Sequence, residues 1–163
     1  YPENLSACLV GSCTNSSYED IYKAASVAKE ALAAGKKSKV PFFISPGSMQ
    51  VYATVKRDGL LGTLEEFGGT LLANACGPCI GQWKRDDNAS KGSNSIVTSF
   101  NRNFRGRNDA NPETLSFISS PEVVVAYAIT GELSSDPTIG FKAPHAPELP
   151  EKGFVFDLIP STL

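Results

Sequence analysis

The stretch Leu5-Ser6-Ala7-Cys8-Leu9-Val10-Gly11-Ser12-Cys13-Thr14-Asn15-Ser16-Ser17-Tyr18-Glu19-Asp20 decides how the rest of the chain is read. Leu5 to Val10 is a short apolar run closed by a glycine, which predicts a strand. Beyond it the apolar residues fall at Ile21, Ala24, Ala28 and Leu32, the spacing of a helix with one inward face. Ser16 with Glu19 three residues later predicts a capping box, Asp20 adds charge suited to a helix N-terminus, and Gly35 supplies a stop. Cys13 is thereby placed in a strand-to-helix turn.

The same pattern repeats outward. Val40 to Ile44 predicts a second strand, followed by the turn Ser45-Pro46-Gly47-Ser48 and a helix carrying Val51, Tyr52 and Val55 as far as Asp58-Gly59. A helical piece over Leu60 to Phe67 ends at Gly68-Gly69, and Thr70 to Asn74 predicts a third strand running into Cys76-Gly77-Pro78-Cys79. Ser95 to Phe100 reads as a fourth strand that leads into Asn101-Arg102-Asn103-Phe104 and a loop to Pro112. After a short strand at Leu115 to Ile118, Ser120 and Pro121 open a helix with Val124, Val125 and Ala128 inward, and Gly131 closes it.

Strands that are apolar runs, alternating with helices, predict an α/β fold: three layers, a mostly parallel sheet and helices on both faces. In such sheets ligands gather beyond the carboxyl ends of the strands. Cys13, Ser45 to Ser48, Cys76, Cys79, Asn101 and Arg102 all follow strands directly, so the fold would collect them at one edge. Residues 1–133 are expected to form this unit. Pro137, Pro144, Pro147, Pro150 and Pro160 make 134–163 a Pro-rich extended strap or linker of the same domain.

Composition narrows the partners. The 163 residues, 41% hydrophobic and 20% charged, suffice for one core, and a net charge of −2 without long runs of like charge gives no electrostatic footprint for nucleic acid or a membrane surface. No apolar stretch approaches a membrane span, and Tyr1-Pro2-Glu3-Asn4 has no signal-peptide character, so the chain reads as soluble with a small-molecule partner.

Four cysteines are too few for a disulfide scaffold and their clustering suits metal or redox chemistry. One thiol in one turn plus a C-x-x-C in another can take three corners of an iron–sulfur cube, leaving one iron open as a Lewis acid. A lone C-G-P-C also fits a thioredoxin-like thiol–disulfide oxidoreductase or a structural metal-binding module. Against the first, Ile80-Gly81 follows Cys79 where a helix should continue. For the second, the spare ligands are His145, in the Pro-rich tail, and Cys8, which reads as a buried thiol inside the first strand.

The segment Gly11 to Asp20 resembles the first cluster-ligand motif of mitochondrial-type aconitases, and Leu72 to Trp83 resembles the second. Ser99-Phe100-Asn101-Arg102-Asn103-Phe104 with Gly106 to Thr114 is similar to a third, and the likeness runs from about Gly11 to Pro150. This resemblance implies the iron–sulfur domain of a hydro-lyase that interconverts citrate and isocitrate through cis-aconitate. It implies one [4Fe–4S] cluster per chain on Cys13, Cys76 and Cys79, which an isolated domain can lose. Arg102 and Arg107 are implied to bind substrate carboxylates, with Asn101 beside cluster and substrate. Guanidinium forks suit that task. Arg57, Arg85 and Arg105 are read as ordinary surface charges. The family's serine base and acid pair belong to other domains, so no complete catalytic set is expected here and the fragment alone is expected to be inactive. The implied location is the mitochondrial matrix, and the implied partners are the remaining aconitase domains.

Overall fold

The structure is a computed structural model that describes residues 1–72, 77–85, 91–145, 147 and 149–156. Its centre is strand β1, Leu5–Gly11, buried along its whole length. That burial follows from position: β1 pairs with β2 (Phe42–Ser45) on one side and β4 (Asn94–Thr98) on the other, so neither face nor edge meets solvent. With β3 (Gly69–Leu71) beyond β2 and β5 (Thr114–Ile118) beyond β4, the order is β3-β2-β1-β4-β5, and every pairing is parallel. The α/β reading therefore stands. The chain steps outward through β2 and β3, then returns to lay β4 on the opposite side of β1. Such a reversal opens a crevice at the carboxyl ends of the strands.

Helices α1 (Tyr18–Ala33), α2 (Met49–Arg57), α3 (Leu60–Phe67) and α4 (Pro121–Thr130) share one core with one face of the sheet. Cys8, Val10, Ile44 and Val97 project from the strands into Ile21, Ala28, Leu64, Phe67 and Val124. The opposite face carries Ala7, Leu9, Ile96 and Phe43, covered by Phe100 and Trp83, whose ring meets Phe43 edge-on at 5.3 Å. Helices on both faces are thus not what the described residues form. The crossovers after β3 and β4 run through Gly77-Pro78, Gly81, Gly106 and Pro112, and among the described residues they contain one 3-10 turn, Gly77–Cys79. Prolines and glycines at that density disfavour a helix.

Helix α1 begins one residue later than the sequence suggests. Its cap is Ser17, whose hydroxyl accepts from Asp20 N while the Asp20 carboxylate accepts from Ser17 N. Ser16 instead turns inward and donates to the Ser12 carbonyl, and Glu19 pairs with Lys23 one turn on, at 2.6 Å. Helix α4 matches expectation, with Pro121 in its first turn and Gly131 closing it at φ 76°. After Gly131 the described residues contain no further helix or strand. Leu133 N donates to Glu3 O, and farther along Arg57 donates to the Lys152 and Gly153 carbonyls while Phe154 sits edge-on to Tyr18. Among the described residues no helix is long and apolar enough to cross a membrane.

Candidate functional site

At the carboxyl edge of the sheet, the turn after β1 and the turn after β2 are pressed together. Gly11 lies opposite Ser45 in the parallel register, and a Cβ on Gly11 would stand 2.5 Å from the Ser45 carbonyl oxygen. A Cβ on Gly47 would reach the Ser16 hydroxyl at 2.7 Å. At Gly11 the obstacle is backbone, so a side chain there would block the approach, whereas at Gly47 a side chain would have to displace the Ser16 hydroxyl. The Cys13 turn is then fastened to β4: Ser99 Oγ accepts from Gly11 N at 2.9 Å, and Asn15 Nδ2 donates to Ser99 O at 2.7 Å. Ser12, at φ 79°, takes the left-handed conformation that turns the chain so sharply before Cys13.

The outcome is a cleft of about 150 Å³ whose wall is formed by Ser12, Cys13, Ser45 to Met49, Pro78, Cys79 and Phe100. The turns after β1 and β2, the Cys79 turn and the loop after β4, distant in sequence, all contribute to it. Cys13 is exposed and Cys79 is buried to 9% exposure, and both are free thiols. Cys76 lies outside the described residues. Ser48 caps α2 by accepting from Val51 N, so the amino end of that helix borders the cleft without an acidic residue in its first turn. A helix N-terminus of this kind favours anionic groups nearby.

The third loop, after β4, lies beside the Cys79 turn. Phe100 is buried in the cleft wall, whereas Asn101 and Arg102 are exposed beyond it. Arg107 is half-buried, its guanidinium 5.2 Å from the Phe104 ring centre, and its Nε is buried without a hydrogen-bond partner among the described residues. A buried, unpaired guanidinium N–H is unfavourable unless an acceptor arrives.

Two features were not read from the sequence. Arg85 is no surface charge: its side chain is 2% exposed, pairs with Asp109 at 3.4 Å and donates to Asn94 and Ser6, each at 3.0 Å. Asn108 is also buried and donates from Nδ2 to the Pro78 carbonyl at 2.9 Å. The signal available for both was only their place in polar loops, which gives no hint of burial. Cys8 is the buried thiol that the sequence suggests. Fully enclosed in the helical core, its pKa is pushed up to about 12 by burial, so it takes no part in the cleft.

Fold and site together define a parallel α/β domain that brings free thiols to the switch point of its sheet. The chain belongs to the aconitase family (aconitate hydratase), which it matches over residues 2–131. It is 53% identical over 165 residues to the mitochondrial aconitate hydratase of Emericella nidulans, covering 94% of this chain and 21% of that protein. The corresponding enzyme of Saccharomyces cerevisiae is 50% identical with the same coverage, and that of Aspergillus fumigatus is 59% identical over 137 residues, covering 84% and 17%. The chain thus spans about a fifth of the length of these curated relatives.

Proposed function

We propose that this chain is the part of a mitochondrial aconitate hydratase, a hydro-lyase interconverting citrate and isocitrate, that holds a [4Fe–4S] cluster through Cys13, Cys76 and Cys79. The single observation that carries the reading is that Cys13 and Cys79, from separate loops, line one cleft. Thiolates from two loops are a donor set suited to iron and sulfide, and the amino end of α2 favours the negative charge they bring. When bound, the cluster supplies a Lewis-acidic iron without a protein thiolate, at which a substrate hydroxyl can be polarised.

The chain's own residues then bind and orient. Arg107, with its buried unpaired Nε, presents a fork to a carboxylate, and exposed Arg102 adds a second cation from the same loop, with Asn101 beside them. Phe100 and Pro78 keep the thiol side of the cleft apolar. The cleft, about 150 Å³, is smaller than the roughly 300 Å³ at which small-molecule pockets usually begin. A substrate must therefore be enclosed partly by the rest of a longer enzyme, which would also supply the proton-transfer groups. His145, the one histidine, is exposed in the Pro-rich tail. The chain alone is accordingly expected to leave citrate unchanged. The thiol–disulfide alternative loses support from the Cys79 turn, which ends at Gly81 with φ 80° instead of continuing as a helix.

Anaerobic incubation with ferrous iron and sulfide tests the reading. The expected product absorbs broadly in the visible and retains four iron and four sulfide per chain, and Cys13→Ser, Cys76→Ser and Cys79→Ser each lower that content sharply. Failure of the unaltered chain to retain iron, or full loading of Cys13→Ser, would overturn it.

A further inference from the structure

We infer that Asn108, seconded by the buried Arg85–Asp109 pair, is a positioning residue that locks the Cys79 turn to the Arg107 loop and so fixes the spacing between the thiol and the anion-binding guanidinium. The inference rests on the reading of Cys79 and Arg107 given above. Among the described residues the Cys79 loop has only the 3-10 turn Gly77–Cys79 and the Arg107 loop has no helix or strand, so contacts between the two loops set their relative position.

Those contacts converge on residues 108 and 109. Asn108 is 2% exposed, and its side chain spans 30 residues of sequence to donate to Pro78 O, the carbonyl immediately before Cys79. Its own backbone carbonyl accepts from Trp83 N at 3.3 Å, so one residue grips the Cys79 loop at both ends. Between these grips a Cβ on Gly81 would sit 3.2 Å from Gly106 O and 3.6 Å from Arg107 O, so the two backbones run in direct contact beside the guanidinium-bearing residue.

Asp109 extends the lock into the sheet. One carboxylate oxygen accepts from Thr114 Oγ1 at 2.7 Å and lies 3.4 Å from Arg85 Nη1, and the other accepts from Asn111 N at 3.1 Å. Arg85 in turn reaches Asn94 and Ser6, and Asn94 Nδ2 donates to Thr114 Oγ1, closing a buried ring between the two loops and strands β1, β4 and β5. The Arg85 guanidinium also lies 4.7 Å from the Trp83 ring centre. Every displacement of the Cys79 turn relative to Arg107 has to break bonds in this set, whose members are shielded from water and so cannot exchange them for solvent at low cost.

The decisive change is Asn108→Asp, which keeps the shape but removes the N–H that reaches Pro78 O. Val124→Ala, in the helical core on the other side of the sheet, serves as a comparison that lowers stability without touching either loop. The first readout needs no cluster: peptide-resolved alkylation of the native chain. Exposed Cys13 should react fast in all forms, Cys8 should stay protected, and Cys79 should react about tenfold faster or more in Asn108→Asp alone. The second readout, in the full-length enzyme, is kinetic: KM for citrate should rise about tenfold in Asn108→Asp with kcat nearly unchanged, and stay put in Val124→Ala. Unchanged Cys79 labelling, labelling of Cys79 and Cys8 that rises together, or the same KM shift in both variants would each overturn the proposal. Loss of iron binding in the unaltered chain would instead strike the reading of the cleft, leaving the labelling result to judge the lock by itself.

Discussion

Cys8 and Cys79 show how one residue type is put in different places by the fold: Cys79 lines the cleft, whereas Cys8 is enclosed in the helical core. Cys8 faces the helical core, where its ionised form finds no water, and burial raises its pKa from 9.0 to about 12. The proton is retained in the folded chain at pH values where the unfolded chain has lost it. Its contribution to stability is therefore complete below about pH 9 and is lost progressively as the pH rises toward 12. Tyr18, also raised to about 12, chiefly by burial and then by its hydrogen bond to Asp58, works in the same direction. Urea midpoints measured between pH 8 and 11 should fall with rising pH, and Cys8→Ala should flatten part of that slope. An unchanged slope in Cys8→Ala would show that the thiol ionises equally in both states. Arg85 makes the complementary point for charge: an arginine in a polar loop reads as solvated, yet here its side chain is buried because Asp109 and Asn94 meet its guanidinium.

The elements follow their local sequence signals closely, with differences at the ends. Helix α3 spans Leu60–Phe67 as its apolar spacing suggests, and α4 is set by Pro121 and Gly131. Helix α1 shifts its cap from Ser16 to Ser17 because Ser16 is needed by the turn below, where it donates to Ser12 O. Strand β3 is only Gly69–Leu71, shorter than its apolar run, and the segment leading to Cys76 lies outside the described residues. Between elements a tight constraint is the pairing of β1 with β2 at Gly11 and Ser45. Gly11→Ala would force its Cβ against backbone, which cannot rotate away, and should cost about 2–3 kcal/mol in denaturant unfolding. The same change should slow iron uptake, since the strand shift moves the Cys13 turn. A stability loss below about 0.5 kcal/mol would mean that the two strands can separate freely at this point.

For the whole molecule, the sheet order places the crevice between β1 and its two neighbours, and the crossover loops cover the face that the helices leave bare. The segment after Gly131 lies against the helical side, held by Arg57 and by Phe154 against Tyr18, with Val155 N donating to Thr54 Oγ1. Among the described residues this segment has no helix or strand of its own. Limited proteolysis should first cut within residues 134–156, and faster in Phe154→Ala, while residues 5–130 persist; first cuts inside the sheet would contradict that order of stability. By itself the sequence determined the succession of strands and helices, the parallel character of the sheet, and the placing of Cys13 just beyond a strand, because apolar period, caps and glycine stops act over a few neighbouring residues. The sequence predicted one edge to collect the thiols; only the tertiary structure decided that they share one cleft wall there, that the helices gather on one face, that Arg85 is buried, and that Asn108 grips the turn before Cys79. Each of these depends on groups tens of residues apart, whose meeting is settled by the sheet order and the packing of loops and leaves no local pattern to read.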